Sequence, residues 1–380
     1  MIELLNLDEI GPRLRRIDRQ LIDLLSQRMA LSVQIEEYKE RSGQPILRPE
    51  IEEKRLTEVA EWANEKGVNP SFARAILYFI IKESCSVQID HLQNERHDSV
   101  PPSDAEWHQT LKQNLLSLTA KIANSYDEMY DGSFFATHAY TDFENSVLER
   151  ELALIKDKSL ALNIGCATGR VSFILSSSFD QVAGYDISPD MIDQSEAKLT
   201  AGNIQNIGFE VVDAESGIPL DDSSVSFVVM NMGTASDIYN LEGLLSEIKR
   251  VLVPNGRFLF SFYNADALFY RWFIPWPISL AAEINLQKHC LDVHYKEKND
   301  VNNKEEVYSV YARPYTVPEV KMLLSDGLSV FSVSTYPTVS SILPRGLFDE
   351  AIVRESITEI DSKLTSLNSG AYILVTGMKG

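Results

Sequence analysis

A glycine turn and two acids mark the first place where this chain has the residues for chemistry. The run Leu160-Ala-Leu-Asn-Ile-Gly-Cys-Ala-Thr-Gly169 is followed by Ala183-Gly-Tyr-Asp-Ile-Ser188, and then by Val211-Val-Asp-Ala-Glu215. An apolar strand, a glycine turn and an acid ending the next strand are what an adenosine pocket needs. Glycine lets the backbone pass close to a ligand, and an acid such as Asp186 accepts both ribose hydroxyls. The turn reads G-x-x-x-G rather than G-x-G-x-x-G, so the glycine that admits a pyrophosphate is missing and a dinucleotide is not expected. A second set of residues stands out by position. Arg28 lies four after Leu24 and three before Leu31, and Lys39 lies four after Ile35. Glu52 lies four before Leu56, while Ser84 and Gln88 continue the line of Ile76 and Ile80. All five fall on apolar helical stripes. An unpaired buried cation costs several kcal/mol, so Arg28 and Lys39 call for an anionic partner or ligand.

The elements that must position these residues divide the chain. From about 7 to 95 the apolar spacing is helical almost throughout. A first helix carries Ile17, Leu21, Leu24, Leu25, Leu31 and Ile35 on a buried seam and ends at Ser42-Gly-Gln-Pro45. A second starts near Pro49, with Glu50, Glu52 and Glu53 at its positive end, and a third follows Asn69-Pro70. The polar, proline-bearing stretch from Asn94 to Asp104 reads as a linker, taken to extend over 96–119. Beyond it, strands are predicted near 160–164, 181–186, 207–212, 225–230 and 256–263, with helices between them, which implies a doubly wound parallel sheet. Predicted strands near 328–336 and 371–377 fit an edge hairpin. Residues 264–313 are an insertion, whose aromatic stretch 268–282 reads as a pocket wall or as packing.

Composition narrows the partners. A chain of 380 residues has room for two or three domains. A net charge of −20 argues against nucleic acid and anionic membranes and for a small-molecule substrate. Cys85, Cys166 and Cys290 are scattered and odd in number, so neither a disulfide framework nor a metal site is expected. With no secretory signal legible, a cytoplasmic location is expected.

The five polar residues on the helical stripes resemble the site of the all-helical chorismate mutases, over about residues 7–95. The resemblance implies that Arg28 and Lys39 clamp substrate carboxylates, Glu52 holds the substrate hydroxyl, and Ser84 and Gln88 complete the pocket, with Lys39 and Gln88 near the ether oxygen. It also implies a homodimer of intertwined long helices. A concerted rearrangement to prephenate needs a compressed substrate and positive charge where the breaking C–O bond becomes electron-rich, not a nucleophile. Gly11 stands where the family usually has an Arg reaching the partner's site, and Ile51 where many relatives have another. Arg13 or Arg15 is the candidate substitute for the first. A weakened mutase, or a non-catalytic dimerisation or sensing module, is the alternative.

The glycine turn and its acids resemble the class I S-adenosylmethionine-dependent methyltransferases, over about residues 120–380. The resemblance implies S-adenosylmethionine as cofactor, with Gly165 and Gly169 at the methionine part, Asp186 at the ribose, and Asp213 with Ala214 at the adenine. Cys166 and Ile187 are counted with them, Asn231 sits at the catalytic side, and Tyr130 matches an aromatic residue folded over the cofactor. Asn163 replaces the usual acid and Ala167 a frequent Gly. His138, Tyr140, Tyr263, Arg313 and Tyr315 are candidates for the acceptor side. The expected fold is multidomain, α plus α/β: a chorismate-mutase-like helical module (1–95), then a Rossmann-like methyltransferase sheet (120–380). The expected function is a fusion that makes prephenate and methylates a chorismate-derived metabolite. A synthase that moves a prephenate carboxyl onto the cofactor is the enzymatic alternative.

Overall fold

Apolar residues three and four apart make the first part of the chain helical, and alternating apolar runs and turns make the rest a sheet. The computed structural model describes residues 7–42, 49–95, 105–129, 135–271, 281–285, 289–296, 305–343 and 351–380. The chain divides into two units near residue 100.

The helical unit holds α1 (Leu7–Ser42), α2 (Pro49–Glu65) and α3 (Pro70–Glu95). The Asn69 side chain caps α3, accepting from the backbone amides of Ser71 and Phe72 at 2.9 and 3.1 Å. Leu56, Ile81 and Cys85, with Leu77 against them, form the small core between α2 and α3. The expected burial of the α1 seam is not met within one chain. Ile17, Leu21, Leu24 and Leu31 are each more than half exposed. The reason is length: at about 1.5 Å per residue, α1 outruns both neighbours and keeps much of its apolar stripe uncovered.

In the second unit, β1 (Leu160–Ile164), β2 (Gln181–Asp186), β3 (Ile207–Val211), β4 (Val225–Met230), β5 (Leu252–Tyr263), β9 (Leu328–Tyr336) and β10 (Tyr372–Lys379) form one sheet. Their order is β3-β2-β1-β4-β5-β10-β9. β1 to β5 run parallel, and β10 is antiparallel to both β5 and β9. β4 is buried along its whole length, as a central parallel strand covered on both faces must be. One face packs on α5 (Phe135–Leu154), α6 (Arg170–Ser176) and α7 (Pro189–Gly202) through Val147, Leu148, Val171, Leu175 and Ile192. The other packs on α8 (Leu241–Val251) and α10 (Val317–Leu323) through Leu244, Ile248 and Val320.

Three features depart from the sequence reading. Residues 105–122, mostly placed in the linker, form α4 (Ala105–Ile122), whose Leu118 and Ile122 pack on the insertion. The insertion carries a separate antiparallel sheet of β6 (Ala281–Asn285), β7 (Cys290–Lys296) and β8 (Glu305–Tyr311). Most of the aromatic stretch at 268–282 lies outside the described residues; α9 (Leu268–Arg271) is its first turn. The final strands are neighbours but not a simple edge hairpin, because α11 (Ala351–Lys363) connects them and β10 slots between β5 and β9. No described helix is long and apolar enough to cross a membrane.

Candidate functional site

Each unit has its own cavity. In the helical unit a cavity of about 240 Å³ is lined by Arg28, Ser32, Ile35 and Lys39 of α1, Ile51 and Arg55 of α2, and Ile81, Ser84, Cys85 and Gln88 of α3. Four of the five residues singled out from the stripes therefore meet in one space. The side chain of the fifth, Glu52, lies outside the described residues. Lys39, Ser84 and Gln88 are buried. The Lys39 ammonium donates to Gln88 Oε1 at 3.1 Å, and the Gln88 amide donates to the Ser84 carbonyl at 3.0 Å. The Ser84 hydroxyl donates back to the Ile80 carbonyl at 2.7 Å.

Arg55 was not anticipated. It follows Ile51 by one helical turn, so it returns a cation to the face from which Ile51 removes one. The signal was present in the i, i+4 spacing and is missed by comparing positions singly. Burial, and then the adjoining Arg55 charge, push the Arg28 guanidinium below its ordinary pKa. Arg28 makes no ion pair among the described residues, and no described lining residue is acidic. Arg13 and Arg15 do not line this cavity within one chain; both are exposed on α1.

In the sheet unit a cavity of about 280 Å³ opens above the C-terminal ends of β1, β2, β4 and β5, where ligands of open α/β sheets bind. It is lined by Gly165, Asp186, Ile187, Asp213 and Ala214 from the sequence-predicted set. Gly165 has φ +66°, and a Cβ there would stand 2.5 Å from Thr234 Cγ2. A side chain would strike the wall of the cavity. Gly169, at φ +90°, packs instead against Phe173 and Phe209, and the Cys166 thiol points into the core beside α6. Neither of these two residues lines the cavity, and neither does Asn231, placed at the catalytic side from sequence. Tyr130 lies outside the described residues.

The Asp186 carboxylate accepts from the amides of Ala167 at 2.8 Å and Ser188 at 2.9 Å. Burial nonetheless outweighs these donors and raises its pKa. Ala167 holds φ +45°, a left-handed conformation that a Gly adopts without cost. Burial would raise Asp213 as well, but the Lys112 ammonium at 2.8 Å reverses the shift and holds it below the usual range. Lys112, on α4, also reaches Glu215 at 3.1 Å, and His108 lies 3.3 Å from the same carboxylate. Burial lowers the His108 pKa. The sequence reading missed this helix and with it Lys112.

The loop after β4 completes the cavity. Tyr140 and Gly233 both bond Ser261, the latter donating its amide at 2.8 Å, and Glu144 accepts from the Met232 amide at 2.9 Å while paired to Arg170 at 2.9 Å. This buried network fixes the loop, and Gly233 lets the Tyr263 ring lie against it: a Cβ would be 2.2 Å from the ring. Tyr263 and Asp237 both line the cavity, the phenol donating to Asp237 Oδ2 at 3.4 Å. Of the other acceptor-side candidates, Tyr315 packs in the core, Arg313 lies over its ring, and His138 sits at the surface beside Asp142.

S-adenosylmethionine is the cofactor of methyltransferase domains with this sheet, and the described residues fit it. Asp186 faces the cavity with a carboxylate for the ribose. Gly165 leaves room at the turn. The Oδ1 atoms of Asn163 and Asn231 are buried without a hydrogen-bond partner, but neither residue lines the cavity. Asp213 and Ala214 line the same cavity after β3.

Comparison with known proteins finds a family model for part of each unit. Residues 12–89 match the family model described as chorismate mutase type II, and residues 162–260 match that of a methyltransferase domain. A malonyl-[acyl-carrier protein] O-methyltransferase 2 from Ilyobacter polytropus is 30% identical over 145 residues, 36% of this chain and 54% of that protein. A 4-amino-4-deoxychorismate mutase from Streptomyces pristinaespiralis is 29% identical over 82 residues, 22% of this chain and 64% of that protein. The chain thus spans between about half and two thirds of the length of the curated relatives it matches. A solved S-adenosylmethionine-dependent methyltransferase from Clostridium acetobutylicum aligns at 12% identity with a TM-score of 0.48, over 68% of this chain and 98% of that one. The chain carries a chorismate mutase domain and a methyltransferase domain.

Proposed function

We propose that this chain is a bifunctional enzyme. Its helical domain rearranges an enolpyruvyl cyclohexadiene dicarboxylate of the chorismate type, and its sheet domain transfers a methyl group from S-adenosylmethionine to a small metabolite of related origin. The observation that carries the first half is the meeting of Arg28, Lys39 and Arg55 around one small cavity with Gln88. Three cations around so little space suit a dianion. In a concerted rearrangement the C–O ether bond breaks as the new C–C bond forms, and the ether oxygen gains electron density. The hydrogen bond to Gln88 holds Lys39 at the cavity, where its charge stabilises that oxygen, while Arg28 and Arg55 hold the carboxylates. The ring substituent is a hydroxyl in chorismate and an amine in the substrate named for the Streptomyces relative, and both belong in the test.

In the sheet domain Asp186 holds the ribose, Asp213 and Ala214 border the adenine, and Gly165 with Thr234 frames the methionine end. The bound cofactor supplies an electrophilic methyl group. The residues of this chain orient it and exclude water with the apolar wall of Leu111, Leu115, Leu118, Leu291 and Val293. The acidic lining weighs against the carboxyl-transfer alternative, which would have to hold prephenate in this same pocket.

A homodimer through α1 belongs to this reading. The exposed stripe of Leu14, Ile17, Leu21 and Leu24 supports it, since a second copy of α1 would cover apolar surface that one chain leaves in water. The same pairing would bring Arg13 or Arg15 to the partner's cavity. A cytoplasmic setting in specialised metabolism completes the proposal.

Loss of the diene absorbance of chorismate, and of 4-amino-4-deoxychorismate, on adding the full-length chain tests the first half, with Arg28→Ala as control. Turnover that vanishes in the variant supports catalysis. No turnover of either compound leaves the helical domain as a dimerising or sensing module.

A further inference from the structure

The acidic lining of the second cavity carries information about what is methylated. Its described lining holds four acids, Asp186, Asp213, Glu215 and Asp237, against Lys112 and His108. Lys112 is already committed to Asp213 and Glu215, and burial disfavours a charged His108. Asp186, Asp213 and Glu215 stand at the nucleoside end. Asp237 does not: it closes the short 3-10 turn Thr234–Ser236, whose Thr234 touches Gly165 at the methionine end. Beside it Tyr263 donates to its carboxylate. The rest of the wall, from α4, β7 and β8, is apolar apart from the hydroxyls of Thr119 and Tyr311.

On the reading that this domain transfers methyl groups, we propose that Asp237, held by Tyr263, is the proton acceptor for an uncharged oxygen or nitrogen nucleophile on an apolar ring, and that the pocket excludes carboxylate acceptors. The acceptor atom bonds to the methyl carbon. The methyl–sulfur bond breaks with its electron pair left on sulfur, and the proton of the acceptor passes to the Asp237 carboxylate. A carboxylate acceptor would need no such base and would find the one lysine of the described lining already paired with Asp213 and Glu215. A phenol or an arylamine has a proton to lose and no charge to repel.

The ionisable groups that act on Asp237 are Asp186 at the end of β2, Tyr263 on β5 and Tyr270 on α9, with Tyr126 on the 3-10 segment after α4 and Tyr372 on β10 beyond Tyr263. Arg313, whose backbone amide donates to the Ser236 carbonyl at 2.8 Å, has its guanidinium over the Tyr315 ring and 3.8 Å from Glu319. Burial first, and then the Asp186 charge, push Asp237 up to about 8 against the pull of the Tyr263 hydrogen bond. A base of that strength is active in its ionised form, so transfer rises with pH and levels off near the same value.

The test uses the full-length chain and four probes: the methyl esters of 4-hydroxybenzoate and 4-aminobenzoate, and the two free acids. S-adenosylmethionine binding is measured first by calorimetry, on the wild type and on Asp237→Asn. The expected result is equal cofactor affinity to within about threefold, methylation of an ester and of neither acid, and a wild-type rate that climbs to a plateau near pH 8. Asp237→Asn loses about 100-fold in rate and the pH dependence, and Tyr263→Phe loses less. A readout without catalysis accompanies these. A carboxyl raised by folding destabilises the fold as pH rises from the ordinary carboxylate range toward its folded pKa, so Asp237→Asn melts higher than the wild type at pH 9 and no higher at pH 4.

Equal methylation of esters and acids, an unchanged rate and pH profile in Asp237→Asn, or no methylation of any ester by a chain that binds the cofactor would each overturn the proposal. A large loss of cofactor affinity in Asp237→Asn would make Asp237 a cofactor ligand and overturn it too. Failure of the wild type to bind the cofactor at all would instead sink the methyl-transfer reading beneath it.

Discussion

In the helical unit three cations, Arg28, Lys39 and Arg55, line one small cavity with no described acid among them. In the sheet unit four acids line another, and its lysine is already paired with two of them. Cavities of similar size thus carry opposite charge. On the proposed reading the first takes up carboxylates and the second excludes them. If that reading holds, the contrast teaches that the two domains do not share a ligand unchanged. If the methylated metabolite descends from the product of the helical domain, a reaction that removes or masks carboxylate stands between the two.

Breaking the cationic side has the largest expected effect. Arg28→Ala removes charge-assisted bonds formed to the dianion and its electron-rich transition state, and lowers kcat/KM for chorismate by about 100- to 1000-fold in a diene-absorbance assay. Arg55→Ala follows at about 10- to 100-fold, and Arg55→Lys recovers part of it; an effect below twofold would remove Arg55 from the site. On the acidic side, Asp186→Asn weakens S-adenosylmethionine by about tenfold in calorimetry, because the ribose loses a charged acceptor, and leaves chorismate turnover unchanged.

Smaller effects sharpen the picture. Lys112 holds the Asp213 pKa below the ordinary carboxylate value, so their attraction contributes stability that is full above that value and is lost as pH falls through the folded one. Lys112→Met therefore melts about 2 °C lower than the wild type at pH 7, with the gap closing below about pH 4. Ala167→Gly, which relieves a left-handed alanine, raises stability by under about 1 kcal/mol in a denaturant titration.

The parts of this contrast that were legible in the sequence are those written in short-range patterns. β1, β2 and β4 were found because buried parallel strands are continuous apolar runs ended by turns. That Arg28, Lys39, Ser84 and Gln88 meet in one cavity was legible because a polar residue on an apolar helical stripe is costly unless it has a partner. The residues that were not found depend on contacts between distant segments. Leu111, Leu115, Leu118 and Ile122 do have helical spacing, but the polar stretch before them reads as linker, and only the packing against β8 reveals α4 as a wall. Asp237 sits in a loop without a motif, and its burial is made by β5, α9 and the segment after α4. The α1 stripe was read as buried because spacing says that a face will be covered, not what covers it.

The charge division is tested most directly by titrating prephenate into the full-length chain, its Arg28→Ala variant and its Asp186→Asn variant by calorimetry. One equivalent per chain that disappears with Arg28→Ala and persists with Asp186→Asn is the predicted result. Binding that survives Arg28→Ala but is lost with Asp186→Asn would place the dicarboxylate in the acidic pocket and contradict the account.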